Sequence, residues 1–319
     1  MAESTKSGTD AANLCTETVS TVWYCSIMEK PGSANSSSEL RGDYTHADAR
    51  YTVPQDHSAY TDAEHDRWRR LYAQQVKLAE KHAARAFRNG LARLDCADGI
   101  PDFERASRIL DEATGWRIVA VPGFIPDEVF FDHLANRRFP VTRWIREEHE
   151  LDYLVEPDVF HDFFGHVPML LDPTFADFMA AYGAAGARAQ AMDAVPMLAR
   201  IYWYTVEFGL IREAGALRIY GAGIVSSFAE SVFALDSDSP NRIGFDLARV
   251  MRTDYRIDDF QQNYFVIDSL EQLLDVTVNT DFAPIYAANA ALPPIPIADI
   301  LPGDEVITRG TQDYATAKA

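Results

Sequence analysis

The sequence predicts a mostly helical α+β domain with a few short strands, spanning residues 51–292. Three observations predict it. Apolar residues recur with helical period through most of that span. Runs suited to strands are few and short. No repeat or polar linker interrupts residues 51–292, so one core serves the whole span.

The elements follow in order. Thr61 and Glu64 form a capping box, and Trp68, Leu71, Tyr72, Val76, Ala79, Ala83 and Phe87 follow at helical spacing, with Gly90 as the stop. Pro101 and Gly115 bracket a helix over 102–114. Residues 116–121 read as a strand ended by Pro122-Gly123, and 127–134 as a short helix. Pro157 opens another helix, and Asp172 caps a longer one from Pro173. A further helix fits 197–212, with Gly215 as its stop. Residues 216–223 read as extended, 226–235 as helix, 260–267 as strand and 269–274 as helix.

The flanks differ from this core. Residues 1–50 are rich in Ser, Thr, Gly, Asn and Ala without a period, and read as a disordered tail carrying one apolar patch, Val22-Trp23-Tyr24. Pro293-Pro294-Ile295-Pro296 leads into a polar tail over 293–319. Lys and Arg number 29 against 48 Asp and Glu, a net charge of −19, and no basic run exceeds two residues. Nucleic acid and anionic membranes, which need a basic face, are therefore not expected partners. No segment is apolar for about 18 residues, and no secretory leader is evident. Cys15, Cys25 and Cys96 are scattered, which suits a reducing compartment, the cytoplasm.

The chemistry concentrates in Glu156–Pro168, where His161 and His166 stand five residues apart. On an α-helix that spacing turns them apart by about 140°. Gly165, by ending the helix left-handed, and Pro168, by forbidding its continuation, would let the chain turn and bring the imidazoles together. Spacing alone equally allows one packed and one loop histidine. Ile201–Ile211 holds a single charge, Glu207. A buried carboxylate needs a proton, a cation or a metal. Two imidazoles and one carboxylate suit non-haem iron with open positions, or zinc in a hydrolase.

Glu156–Pro168, Ile201–Leu210 and Tyr220–Glu230 together resemble the pterin-dependent aromatic amino acid hydroxylases, over roughly residues 51–275. The likeness is strongest to the bacterial branch, which is the catalytic domain alone and hydroxylates phenylalanine. The resemblance implies a catalytic basket of helices that holds Fe(II) through His161, His166 and Glu207 and uses tetrahydrobiopterin or another tetrahydropterin. L-phenylalanine and O₂ would be the substrates, with no catalytic residue beyond the iron ligands. By the same matching, Arg146 grips the substrate carboxylate, Trp203 packs against its ring, and Ser226, Thr142 and Ile257 complete the substrate positions. Gly123, Phe124 and Ile125 line the pterin, Phe130 stacks on it, and Tyr202 and Asp162 lie near it or behind the ligands. Ser226 also reads as a helix N-cap. An apolar Ile257 leaves a phenol hydroxyl without a partner, which favours phenylalanine over tyrosine. The chain departs from the animal enzymes at Pro140, Leu154 and Asp162, where they carry His, Thr and Glu. Without a regulatory or heptad-patterned segment, a monomer is expected.

Overall fold

A computed structural model describes residues 41–151, 154 and 156–318. The Val22-Trp23-Tyr24 patch and most of the expected N-terminal tail lie outside the described residues.

Helix α1 (Asp62–His82) starts at the Thr61–Glu64 capping box, with both reciprocal bonds made. The apolar period runs on through Phe87, but the helix does not. Ala83 becomes extended and bridges Ile219, and the Ala84 N–H bonds the Ile219 carbonyl at 2.7 Å. A separate helix, α2 (Arg85–Leu94), then begins. Gly90, expected as a stop, sits inside α2, where a Cβ would come within 2.0 Å of the Pro168 carbonyl oxygen. It is a packing glycine. Helix α3 (Phe103–Thr114) matches expectation, capped by Asp102 and ended by Gly115 at φ 74°.

Strand β1 (Arg117–Val121), helix α4 (Asp127–Ala135) and strand β2 (Arg138–Thr142) form a βαβ unit with parallel strands. Strand β2 was not legible: Arg138 and Pro140 hide it, and Pro140 is tolerated because the sheet has only two strands, both edges. After a π-helical segment (Phe160–His166) and a 3₁₀ turn (Val167–Leu171) come α5 (Pro173–Ala191) and α6 (Val195–Tyr202). Helix α6 runs into a second π-helical segment, Trp203–Glu207. The helix expected over 197–212 thus ends at Glu207, and strand β3 (Leu210–Glu213) follows. Gly215 is a hairpin residue, at φ 79° beside Ala214 at 48°, joining β3 to β4 (Ala216–Ile219).

Helices α7 (Ala222–Val225) and α8 (Phe228–Asp236), strand β5 (Asn241–Gly244), helix α9 (Leu247–Arg252) and strand β6 (Asn263–Ile267) follow. Helices α10 (Leu270–Asn279) and α11 (Phe282–Ala290), strand β7 (Val306–Thr308) and helix α12 (Asp313–Lys318) close the described chain. The five-stranded sheet has the order β4-β3-β6-β5-β7, with β3, β6 and β5 parallel and both edges antiparallel. Strand β7 lies in the segment expected to be a polar tail. Its three residues give too weak a pattern to read alone, and pairing with β5 creates it. At the other end, residues 41–50 also pack on the fold: the Tyr44 hydroxyl donates to the Phe124 carbonyl at 3.0 Å, and a His133 ring nitrogen lies 2.9 Å from the Arg50 carbonyl.

The core centres on aromatic side chains of the first π-helical segment. Phe160 stacks on Phe164 at 4.8 Å and meets Trp68 edge-on at 5.2 Å, Phe87 meets Phe164 at 5.7 Å, and Phe163 stacks on Phe103 at 6.1 Å. Among the described residues no helix is long and apolar enough to cross a membrane.

Gly90→Ala should lower unfolding free energy by about 1–3 kcal/mol, because the new methyl collides with backbone. Urea denaturation would measure it; an unchanged midpoint would mean α2 can back away from Pro168 at no cost.

Candidate metal centre and its cavity

Three side chains converge. His166 Nε2 lies 3.2 Å from Glu207 Oε1, His161 Nε2 lies 3.6 Å from Glu207 Oε2, and the two Nε2 atoms are 3.4 Å apart. The histidines meet by a different route from the one expected. Gly165 is not left-handed, since among the described glycines only Gly115 and Gly215 have positive φ. Instead Phe160–His166 winds as a π-helix, whose hydrogen bonds reach back five residues. Positions five apart then stack as positions four apart do on an α-helix. Gly165 serves close packing, since a Cβ there would lie 3.0 Å from Ala222. Glu207 ends the second π-helical segment, which the Phe208 N–H closes on the Trp203 carbonyl at 2.8 Å.

Neighbours hold each donor. A proton on His161 Nδ1, 3.0 Å from Ser226 Oγ, leaves Nε2 with its lone pair outward. Ser226 is therefore not the N-cap of α8; Ser227 is, accepting from the Glu230 N–H. Burial lowers the His161 pKa, which favours the neutral ring that a ligand must present. Burial opposes charge on Glu207, but His166, His161 and the Gly223 N–H outweigh it and hold the carboxyl below its ordinary value. The Gly221–Gly223 pair allows this approach: a Cβ on Gly221 would sit 2.4 Å from the Glu207 carbonyl oxygen, and one on Gly223 would sit 3.2 Å from Oε2. Asp162 is a second carboxylate near the histidines, in a looser set with donor atoms within 4.8 Å of one another. Its Oδ2 is engaged by the Thr142 N–H at 2.8 Å.

A cavity of about 580 Å³ opens beside these donors, with His161, Glu207, Arg146, Trp203, Ser226 and Ile257 in its lining. Arg146 is buried, and its fork is already filled: Nε and Nη2 each donate to Asp158 at 2.9 Å. The bidentate partner expected from a ligand is thus internal, and Nη1 lies 3.5 Å from the Leu151 carbonyl. Burial would raise the Asp158 pKa, but Arg146 and the N–H groups of Arg146 and His161 hold it below its ordinary value. Sequence reasoning missed Asp158, although an acid three residues before His161 is the pattern that accepts a first-turn N–H, here at 3.0 Å.

Trp203 stacks on Tyr255 at 4.5 Å, and its Nε1 donates to Gln261 Oε1 at 3.0 Å. Leu154 lines the cavity; Thr142 does not, and its structural contact is with Asp162. Gly123, Phe124 and Ile125 form the loop between β1 and α4, with a Gly123 Cβ excluded by Glu156 Oε1 at 2.7 Å. Phe130 is buried on α4, edge-on to Tyr202 at 5.7 Å. Glu230, also missed, lines the cavity and accepts from the Tyr264 hydroxyl. Burial pushes its carboxyl up to about 7, against the pull of Tyr264 and the Gln261 N–H.

Residues 16–281 match the family described as biopterin-dependent aromatic amino acid hydroxylase. The chain is 60% identical over 268 residues to phenylalanine-4-hydroxylase of Caulobacter vibrioides, covering 84% of this chain and 91% of that protein. It is 57% identical over 261 residues to the Chromobacterium violaceum enzyme of the same name, covering 82% and 88%. The crystal structure of Chromobacterium violaceum phenylalanine hydroxylase with bound oxidised Fe(III) superposes with a TM-score of 0.80 at 57% identity, over 82% of this chain and 95% of that one. The cobalt-bound structure of the same protein has the same score and coverage.

The raised Glu230 pKa has a definite sign. The folded state holds this proton more tightly than the unfolded chain, so the stabilisation is complete below about pH 4.3 and fades as pH rises through about 7. Glu230→Gln, always neutral, should flatten that slope, changing the wild-type minus variant difference by roughly 1–3 kcal/mol between pH 5 and 8. Urea titrations at the two pH values test it; parallel curves would show that Glu230 is ionised throughout.

Proposed function

The chain belongs to the biopterin-dependent aromatic amino acid hydroxylases, and from that premise we infer a non-haem Fe(II), tetrahydropterin-dependent monooxygenase that converts L-phenylalanine to L-tyrosine with O₂. One oxygen atom enters the ring and the other leaves on the pterin. The observation that carries the metal assignment is the donor set itself. Separations of 3.2–3.6 Å among two imidazole nitrogens and a carboxylate suit neighbouring positions around one ion about 2.1 Å from each. His161, His166 and Glu207 hold the iron in this reading. Iron, when bound, supplies the site at which O₂ and the pterin react.

The remaining work falls to the protein. Arg146 meets the substrate carboxylate with the part of its guanidinium that Asp158 leaves over, and the Asp158 clamp keeps that cation oriented. Its guanidinium carbon also lies 5.7 Å over the Phe160 ring, which restricts it further. Trp203, fixed by Gln261 and Tyr255, presents a flat apolar wall to the substrate ring. Ile257 offers a hydroxylated ring no partner, which favours phenylalanine. Ser226 keeps the His161 nitrogen aimed. Gly123, Phe124 and Ile125 offer backbone to the pterin, with Phe130, Tyr202 and Asp162 behind them; the closeness of Phe130 to Tyr202 and of Asp162 to the histidines supports this grouping. The proposal places the enzyme in the cytoplasm as a monomer, without nucleic-acid or membrane partners. The acidic charge and the free, buried Cys96 thiol support it.

Tyrosine formation should require air, Fe(II) and a tetrahydropterin together. Glu207→Ala or His161→Ala should remove bound iron and lower hydroxylation by more than the about 10–100-fold that loss of an outer partner such as Ser226 costs. Metal analysis and a tyrosine assay check both; unchanged iron and activity would overturn the ligand set, and activity under nitrogen with zinc would overturn the chemistry.

A further inference from the structure

Part of the cavity wall comes from the C-terminal helix α12, beyond the family-matched segment that ends at residue 281. Tyr314 and Lys318 both line the cavity, and both bind Asp259. The Tyr314 hydroxyl donates to Asp259 Oδ1 at 2.9 Å, and Lys318 Nζ lies 3.1 Å from both carboxylate oxygens. The Tyr314 ring packs at 5.1 Å against Phe233 and at 5.1 Å against Phe260, which stack on each other at 4.5 Å. The approach to α12 is tied to the body: the Gly310 N–H donates to Asn241 Oδ1 at 2.9 Å, and the Tyr314 N–H to Ser239 Oγ at 3.0 Å.

Asp259 belongs to a loop that closes around one amide side chain. Gln261 Nε2 donates to the Arg256 carbonyl at 2.6 Å, and Gln261 Oε1 accepts from Trp203 Nε1 at 3.0 Å. Ile257 lies within this loop and also lines the cavity. Gln261 Nε2 also lies 3.5 Å from the Asp259 carbonyl, so a chain of contacts runs from α12 through Asp259 and Gln261 to the Trp203 indole.

We propose that α12 clamps the Arg256–Gln261 loop, so that Tyr314 and Lys318 are positioning residues that set Trp203 and Ile257 against the ring of the amino-acid substrate. The proposal rests on reading this cavity as the amino-acid site. An exposed ion pair alone fixes little, whereas an aromatic ring packed against a stacked pair, with its hydroxyl and a neighbouring ammonium on one carboxylate, defines a single loop position.

The test uses the full chain loaded with iron and supplied with tetrahydropterin. Tyr314→Ala should raise the KM for phenylalanine about tenfold and Lys318→Met about threefold. In both, kcat should stay within about threefold, the KM for the pterin should be unchanged, and less tyrosine should form per pterin oxidised. Lys318→Arg should restore the wild-type KM. Phenylalanine binding by calorimetry should weaken in step, and a melting curve controls for folding. If Tyr314→Ala does not fold, Lys318→Met and Tyr314→Phe carry the same comparison. An unchanged phenylalanine KM and coupling in the folded variants would overturn the clamp, as would an equal rise in the pterin KM. Wild-type protein that forms no tyrosine would sink the amino-acid reading itself; active wild type with indifferent variants would sink the clamp alone.

Discussion

Hydrogen bonds that reach back five residues instead of four, in two short segments, set the geometry on which the rest of this structure depends. They align His161 with His166 and end the second helix at Glu207, so three side chains from two segments face one another. Such winding forms poorly on its own and persists where packing over-determines it. Here Phe160, Phe163 and Phe164 supply that packing from one face, leaving the histidines the other. The aromatic core and the His161–His166 pair are two sides of the same turn.

Burial then dictates the electrostatics. Asp158, Arg146 and Glu207 are all removed from solvent, and each is matched. Asp158 takes the Arg146 fork and the His161 N–H, so one carboxylate couples the cation on the cavity wall to the element carrying the first donor. A buried charge left alone would be strongly destabilising, so this coupling constrains geometry as well as stability. Glu207 faces two imidazoles and a backbone N–H, a setting that keeps it ionised and available to a cation. Three glycines, at 165, 221 and 223, let α7 press close to both donor segments without a methyl group intervening.

The helices with strong local signals were legible, because the capping box at Thr61, the bracketing Pro101 and Gly115 and the Asp172 cap are all read from close neighbours in the chain. The donor residues were legible as residue types and, with the family resemblance, as a set. The way they meet was not, because nothing local distinguishes a five-residue winding from an α-helix that breaks at Gly165. The ends of the domain were misread for a related reason. Residues 41–50 and strand β7 have polar, weakly periodic sequence, and they take shape only against β5, α4 and the loop that follows β1.

By itself the sequence determined the helical character, the acidic charge and the chemistry on offer: two imidazoles and one acid in an apolar run. These depend on residue type and short-range spacing, which the chain carries wherever it goes. Tertiary structure alone decided that Arg146 spends its fork on Asp158, that Ser226 steadies His161 instead of capping α8, and that Tyr314 and Lys318 reach the cavity. Each of those contacts joins residues far apart in the chain or selects among several equally good local partners, and only packing in three dimensions makes that selection.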